Sequence, residues 1–197
     1  MPLGKMTKRQ HRLWVLLFAA IALGLGVALI LARFLGSKSE PITLQSKIRD
    51  AIPVREATTR KVHLYFVTSN GRYLHAEERR VEASDTLSTV EAIIAALLEG
   101  PNDPKLVSPI PAGVQLRHLF VTEDGTAYLD FSPELSRLPL GGVTTERLTL
   151  YAIVNSLVLN LDAVDRVQLL VEGKVAPTLS GHLDIRHPKT ADLLIVH

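Results

Sequence analysis

The sequence predicts an α+β fold: a small, mostly antiparallel sheet layered with two helices, preceded by one transmembrane helix. Three observations predict it. Residues 13–32 form a run of 20 residues without a charge. Two β-rich stretches are each broken by a turn dipeptide, Asn70-Gly71 and Asp124-Gly125, the strongest short-range hairpin signal. Two further stretches place apolar residues at helical spacing. From residue 61 the order is hairpin, helix, hairpin, helix, strand, which suits one layered domain of about 130 residues with its own core.

The charge-free run comes first. A helix rises about 1.5 Å per residue, so the run spans roughly 30 Å, the hydrocarbon thickness of a bilayer. The rival reading is a secretory signal peptide, whose apolar core is about 7–15 residues. This run is longer, and Arg33-Phe34-Leu35 stands where small residues would mark a cleavage site. An uncleaved anchor over residues 13–35 is therefore expected. Lys5, Lys8, Arg9 and Arg12 crowd its N-terminal flank, with Trp14 placed for an interface. On the other side Arg33, Lys38, Lys47 and Arg49 are spread out and mixed with Glu40 and Asp50. This asymmetry keeps residues 1–12 in the cytoplasm and sends the rest outward. The expectation is a single-pass protein of the bacterial cytoplasmic (inner) membrane with an extracytoplasmic, periplasmic-side C-terminal domain. Residues 36–60 hold Pro41 and Pro53 and no sustained period. They read as a tether whose ends lie roughly 25–30 Å apart.

Composition excludes other classes. At 47% hydrophobic and 21% charged, the chain is neither disordered nor collagen-like. A sequence pI of about 9.0 points to nucleic acid until the charge is located. Five of the 22 basic residues lie in the first 35, and no acid precedes Glu40, leaving 17 basic against 20 acidic residues beyond. That remainder has no basic stripe and no interleaved aromatics, so no nucleic-acid partner is expected. Arg79-Arg80, offset by Glu77, Glu78 and Glu82, reads as a solvated strand end. There is no cysteine, which excludes a lipid-modified anchor, structural disulfides and thiolate chemistry.

The folded part is expected over residues 61–190. Val62–Val67 and Tyr73–Val81 make the first hairpin around Asn70-Gly71. Ser88-Thr89-Val90-Glu91 matches a capping box, and Val90, Ile93, Ile94, Leu97 and Leu98 line one helix face until Gly100-Pro101 stops it. A proline-rich loop runs through Pro104, Pro109 and Pro111 to Gly113. Val114–Thr122 and Thr126–Phe131 form the second hairpin around Asp124-Gly125. Thr144 or Thr145 then caps a helix reaching about Asn160, with Glu146 in the first turn, where the dipole favours an anion. That helix is apolar nearly all round except for Thr149, Ser156 and Asn160, so it is buried on more than one side or faces a partner. Arg166–Val171 is the last strand.

Candidate chemistry is thin. The histidines show no metal-ligand spacing, and His182 with Asp184 makes only a pair on one face of an extended segment. No metal or cofactor is expected. Asp130, Glu134 and Glu146 could furnish a carboxylate pair for acid–base or glycosidic work, but each reads more simply as a strand-end, loop or helix-start acid. No nucleophile elbow, dinucleotide fingerprint or phosphate loop occurs. Asn155 shares a helix face with Leu148, Tyr151, Ala152 and Leu159, so its amide is expected to be buried and bonded to loop backbone.

The motifs of residues 61–188 together resemble the GerMN domain of sporulation and spore-germination proteins. Ala95–Pro101 looks like the end of its first helix, and Ile110–Val114 like the loop entering its second hairpin. Asp124–Ser132 resembles its hairpin signature, and Glu146 with Tyr151–Leu157 its second helix. Val167–Gly173 and Leu179–Asp184 are similar to its closing strand and tail. The resemblance implies an α+β fold akin to ring-building motifs, an extracytoplasmic membrane-attached module, and no established catalytic residues to carry over. It implies envelope-protein partners, self-association, or work beside a peptidoglycan-processing enzyme. The chain departs from some relatives in having one domain copy and a peptide anchor, so a general role in envelope assembly is expected over a spore-specific one. The residues expected to build structure or interaction are Gly100, Pro101, Gly113, Asp130, Glu146, Asn155, Gly173, Gly181, His182 and Asp184. An exposed sheet edge or helix surface is expected to dock the partner. The alternative is a cell-wall processing enzyme, or its accessory subunit, using Asp130, Glu146, His182 or Asp184.

Overall fold

The computed structural model describes residues 56–137 and 142–197. The expected cytoplasmic N-terminus, the anchor and nearly all of the tether lie outside the described residues. Among those described, no helix is long and apolar enough to cross a membrane.

β1 (Thr58–Thr68) and β2 (Leu74–Ala83) form an antiparallel ribbon in register from Thr58↔Ala83 to Val67↔Leu74. The strand starts inside the segment expected to be tether, because Thr58 and Thr59, β-branched residues that suit a pleated surface, find partners in Ala83 and Glu82. Alternation along β1 points Val62, Leu64 and Phe66 into the main core. The turn is longer than the two residues expected: Thr68 N–H donates to Tyr73 O at 2.9 Å, and Gly71 at φ 71° closes the bend by donating to Thr68 O at 2.8 Å.

The N-cap of α1 (Thr86–Glu99) lies three residues before the expected one. It is Asp85, whose carboxylate accepts from Ser88 N–H at 2.8 Å while Ser88 Oγ accepts from Asp85 N–H at 3.0 Å. The capping box exists, but Ser88 is its N3 member. Val90, Ile93, Ile94 and Leu97 are buried as expected, whereas Leu98 is only partly so. Inside the proline-rich loop lies a short strand the sequence does not signal, β3 (Leu106–Val107), paired antiparallel with the end of β1.

β4 (Leu116–Val121) and β5 (Thr126–Phe131) form the second hairpin, with a register shift between Leu116 and His118. α2 (Gly142–Val158) crosses over to β6 (Arg166–Val171), which pairs parallel with β5. A parallel neighbour requires such a crossover. Thr144 and Thr145 therefore lie within α2 rather than capping it, and Glu146 falls beyond the first turn.

The expected single sheet is two three-stranded sheets, ordered β2-β1-β3 and β4-β5-β6. A physical reason is visible at the outer edge of β1. Ser156 Oγ accepts from Tyr65 N–H at 3.0 Å, and Asn160 both accepts from His63 N–H and donates to His63 O, each at 2.8 Å. Ser156 on α2 and Asn160, two residues past its end, thus occupy the backbone groups that another strand would need. Astride this edge, α2 serves both faces of the ribbon. Leu150, Ile153, Val154 and Leu157 join the main core, while Leu148 and Ala152 pack with Tyr65, Leu74 and Ile195 in a second cluster.

The chain after β6 is a long strap. Lys189 bridges Val167, and Val196 bridges Leu74 before His197 N–H donates to Leu74 O at 2.9 Å. Among the described residues, strand structure begins at Thr58 and the strap is bonded as far as His197. Val54–His197 forms one compact unit.

Candidate functional site

Glu146 is the best-connected acid of the described residues. It is fully buried on α2, and its carboxylate gathers one loop. Oε1 accepts from Leu179 N–H at 2.8 Å and from Ser180 N–H at 3.0 Å. Oε2 accepts from His182 N–H at 2.9 Å and from Ser180 Oγ at 3.2 Å, with His182 Nδ1 also at 3.2 Å. Gly181, at φ 101°, permits the left-handed turn that aims these flanking N–H groups at one anion. Burial alone would push the carboxyl up, but the N–H groups of Ser180, His182 and Leu179 outweigh it and hold Glu146 below the usual carboxylate range. The structure thus joins Glu146, Gly181 and His182 in one cluster.

Asp130 builds a second such point at the end of β5. It is buried; its Oδ1 accepts from Gly173 N–H at 2.6 Å and its Oδ2 lies 3.2 Å from His118 Nδ1. Burial alone would raise its pKa, but the Gly173 N–H, His118 and Arg117 outweigh it and hold Asp130 below the usual carboxylate range. Glu134 pairs instead with Arg137 on a 3-10 turn, Pro133–Ser136. The three acids considered as a carboxylate pair therefore serve different segments.

Asn155 is buried, and its amide exchanges two hydrogen bonds of 2.9 Å with the backbone of Asp192, whose carboxylate also meets Arg147. Asp184 turns onto Arg186 through its backbone N–H at 2.9 Å and its guanidinium, and so does not join His182. Gly100 ends α1 at φ 93° and accepts from Arg79 Nη2 at 2.8 Å, while Pro101 leads into Asn102 and Asp103, whose N–H groups both donate to Glu77. Gly113, at φ 83°, closes the proline-rich loop before β4.

Residues the sequence reading passed over do comparable work: Ser180, Asp192 and Arg147. The Glu77–Arg79 pair, expected as part of a solvated strand end, is instead largely buried because Glu77 accepts from the Asn102 and Asp103 N–H groups and Arg79 reaches Gly100 O. A signal exists for Ser156 and Asn160, two polar residues four apart at the C-terminal end of the mostly apolar α2 and just past it. None marks Asp192, whose role depends on its backbone. Among the described residues no three His, Asp or Glu side chains gather as metal ligands.

The sequence profile of the Germane family, described as sporulation and spore germination, matches residues 63–176. The tandem GerMN domains of the sporulation protein GerM from Bacillus subtilis superpose with a TM-score of 0.51 at 21% identity, over 69% of this chain and 46% of that one. The first GerMN domain of the same protein gives a TM-score of 0.51 at 19% identity, over 68% of this chain and 96% of that domain. At such identities the likeness establishes the fold, and the coverage corresponds to one domain of the tandem. No curated protein matches the chain. The matched segment runs from β1 past β6, includes Asp130, Glu146 and Asn155, and covers more than half of the sequence, so the chain belongs to the Germane family of sporulation and spore-germination domains.

Proposed function

We propose that the chain is a membrane-anchored, extracytoplasmic protein-interaction module, serving cell-envelope assembly of the sporulation and germination kind, and that it works without catalysis. The observation that carries this reading is the use made of its acids. Glu146, the acid most like a catalytic group by position and burial, has every near neighbour committed to holding one loop, and Asp130 is committed to another. A general acid or base needs a free face toward substrate; these two support architecture. The charge-free run of residues 13–32 supplies the attachment, and tethering raises the local concentration of the domain at the membrane. GerM is described as a sporulation protein, which suits the same class of role.

The test is crosslinking in intact cells followed by purification of the full-length chain from solubilised membranes. An envelope protein or a second copy is expected at the crosslink. Recovery of neither sinks the reading. A peptidoglycan-hydrolysing activity of the purified chain, lost in a folded E146Q or D130N variant, would establish the enzyme alternative instead.

A further inference from the structure

A cavity of about 240 Å³ opens between the tip of the first hairpin, the β3 loop and the early turns of α2. Val67, Val107, Pro109, Ile110 and Leu148 give it apolar walls, and Thr145 lines one side. The walls are held independently of any occupant. Val107 is paired with Val67, Thr149 Oγ1 fastens the loop by donating to Pro109 O at 2.8 Å, and two prolines fix the backbone around Ile110. Val107 is nevertheless 54% exposed at this cavity. Pockets for drug-sized ligands run to about 300–1,000 Å³. This one is smaller, a size suited to a single large side chain entering from a partner, as interface anchors do.

The surrounding charge narrows the partner. Residues 56–197 carry 13 basic against 18 acidic residues. Seven of those basic side chains are held in ion pairs. Arg72, next to Gly71 of the cavity wall, and Lys105, two residues before Val107, are exposed and make no ion pair among the described residues. The nearby Asp103 uses Oδ1 to accept from Lys105 N–H at 2.8 Å. An acidic domain therefore presents two unpaired cations beside its apolar cavity.

We propose that this cavity is the docking pocket for a protein partner that inserts one large apolar side chain flanked by carboxylates. The proposal rests on the protein-interaction reading above and names the surface that would perform it. Arg72 and Lys105 orient the segment, and the apolar side chain displaces water from Val107, Ile110 and Leu148.

The probe is a fluorescein-labelled peptide, Glu-Glu-Gly-Phe-Gly-Glu-Glu, titrated by anisotropy with the full-length chain in nanodiscs. Saturable binding is expected. It should weaken about tenfold or more, the scale of a lost interface anchor, when Phe is replaced by Ala, when the glutamates become lysines, or in Val107→Asp and Arg72→Glu/Lys105→Glu chains. These positions are exposed, so unchanged thermal melting is expected and verifies the fold. Absence of saturable binding overturns the proposal, as does binding that the V107D change leaves intact. Self-association abolished by V107D also overturns it, because the occupant would then be a second copy. The crosslinking experiment separates the two levels. If the envelope partner is recovered equally with V107D, the pocket assignment fails and the interaction function stands; if no partner is recovered with the unaltered chain, the function fails.

Discussion

Replacing Glu146 by Ala tests whether one carboxylate holds the 179–182 loop in place. The change leaves three backbone donors without their acceptor: Leu179 N–H in a buried setting, and Ser180 and His182 N–H in partly buried ones. A buried unsatisfied donor costs about 1–3 kcal/mol. Water can reach the two outer donors, so they count for less, and the sum is about 3 kcal/mol. Gln keeps one oxygen, enough for Leu179 and Ser180, but sets its NH₂ against the His182 N–H. That exchange costs about 1–2 kcal/mol. In urea unfolding at neutral pH, with a slope of about 1–3 kcal/mol/M, the Ala variant should lose roughly 1–3 M in midpoint at unchanged slope. The sign of the pH dependence is fixed as well. The folded-state pKa of Glu146 lies below its ordinary 4.5, so its contribution is present above that value and is lost as pH falls through the lowered pKa. The gap between the wild-type chain and E146Q should therefore shrink in acid. An Ala variant within about 0.5 kcal/mol of wild type, the range of neutral surface changes, or a gap that widens in acid, refutes the reasoning.

Asn155→Ala removes both bonds to Asp192; a loss of about 1–3 kcal/mol is expected, with faster amide exchange at Asp192 and Leu194 and little change in β5. Ser156→Ala with Asn160→Ala uncovers the β1 edge and should cost about 1 kcal/mol per lost bond. An uncovered edge also invites strand pairing, so sedimentation should show more self-association than in the wild-type chain. Gly125→Ala forces a Cβ onto the Asp165 carboxylate at φ 76°. A drop of about 1–2 kcal/mol in unfolding free energy is expected, and the double change with Asp165→Ala should recover part of it by relieving the contact while leaving the backbone strain.

Local patterns in the sequence account for the elements that hold themselves. The α1 stripe of Val90, Ile93, Ile94 and Leu97 can be read because a helix face repeats in sequence, and both hairpins because their turns need left-handed glycines. Asn155 could be singled out because a lone amide among apolar neighbours has to find a partner. The start of α1 lies earlier than its local pattern implies, because Asp85 and Ser88 share one reciprocal cap and both are cap-forming residues. β3 could not be read, since two residues in a proline-rich loop have no period and pair only because β1 is there. The same limit applies to the division into two sheets. It follows from where Ser156 and Asn160 meet the β1 backbone, a long-range docking with no local mark. For the site residues, the types were informative and their partners were not. Glu146 was read as a helix-start acid, yet its meaning comes from backbone N–H groups more than thirty positions away.

This wiring bears on how the domain meets a partner. The sequence left strand addition at a sheet edge as an open route, and the structure narrows it. β1 is closed by Ser156 and Asn160, β6 is met by Lys189, and the start of β2 by Val196. The rest of β2 carries Glu77, Glu78, Arg79, Arg80 and Glu82, a charge density that blunts an edge. β4 is short, irregular in register at Leu116–His118, and carries Arg117 and His118 there, the devices that discourage pairing. Phe120 is 61% exposed there, but one aromatic on a disrupted edge provides no register for an added strand. The cavity beside Val107 has what that edge lacks: walls fixed by the Val67–Val107 pairing and by the Thr149 bond to Pro109. A partner entering it meets a surface that is already ordered, so little conformational entropy opposes docking. Under the proposed interaction role, preformed shape therefore favours side-chain insertion over strand addition.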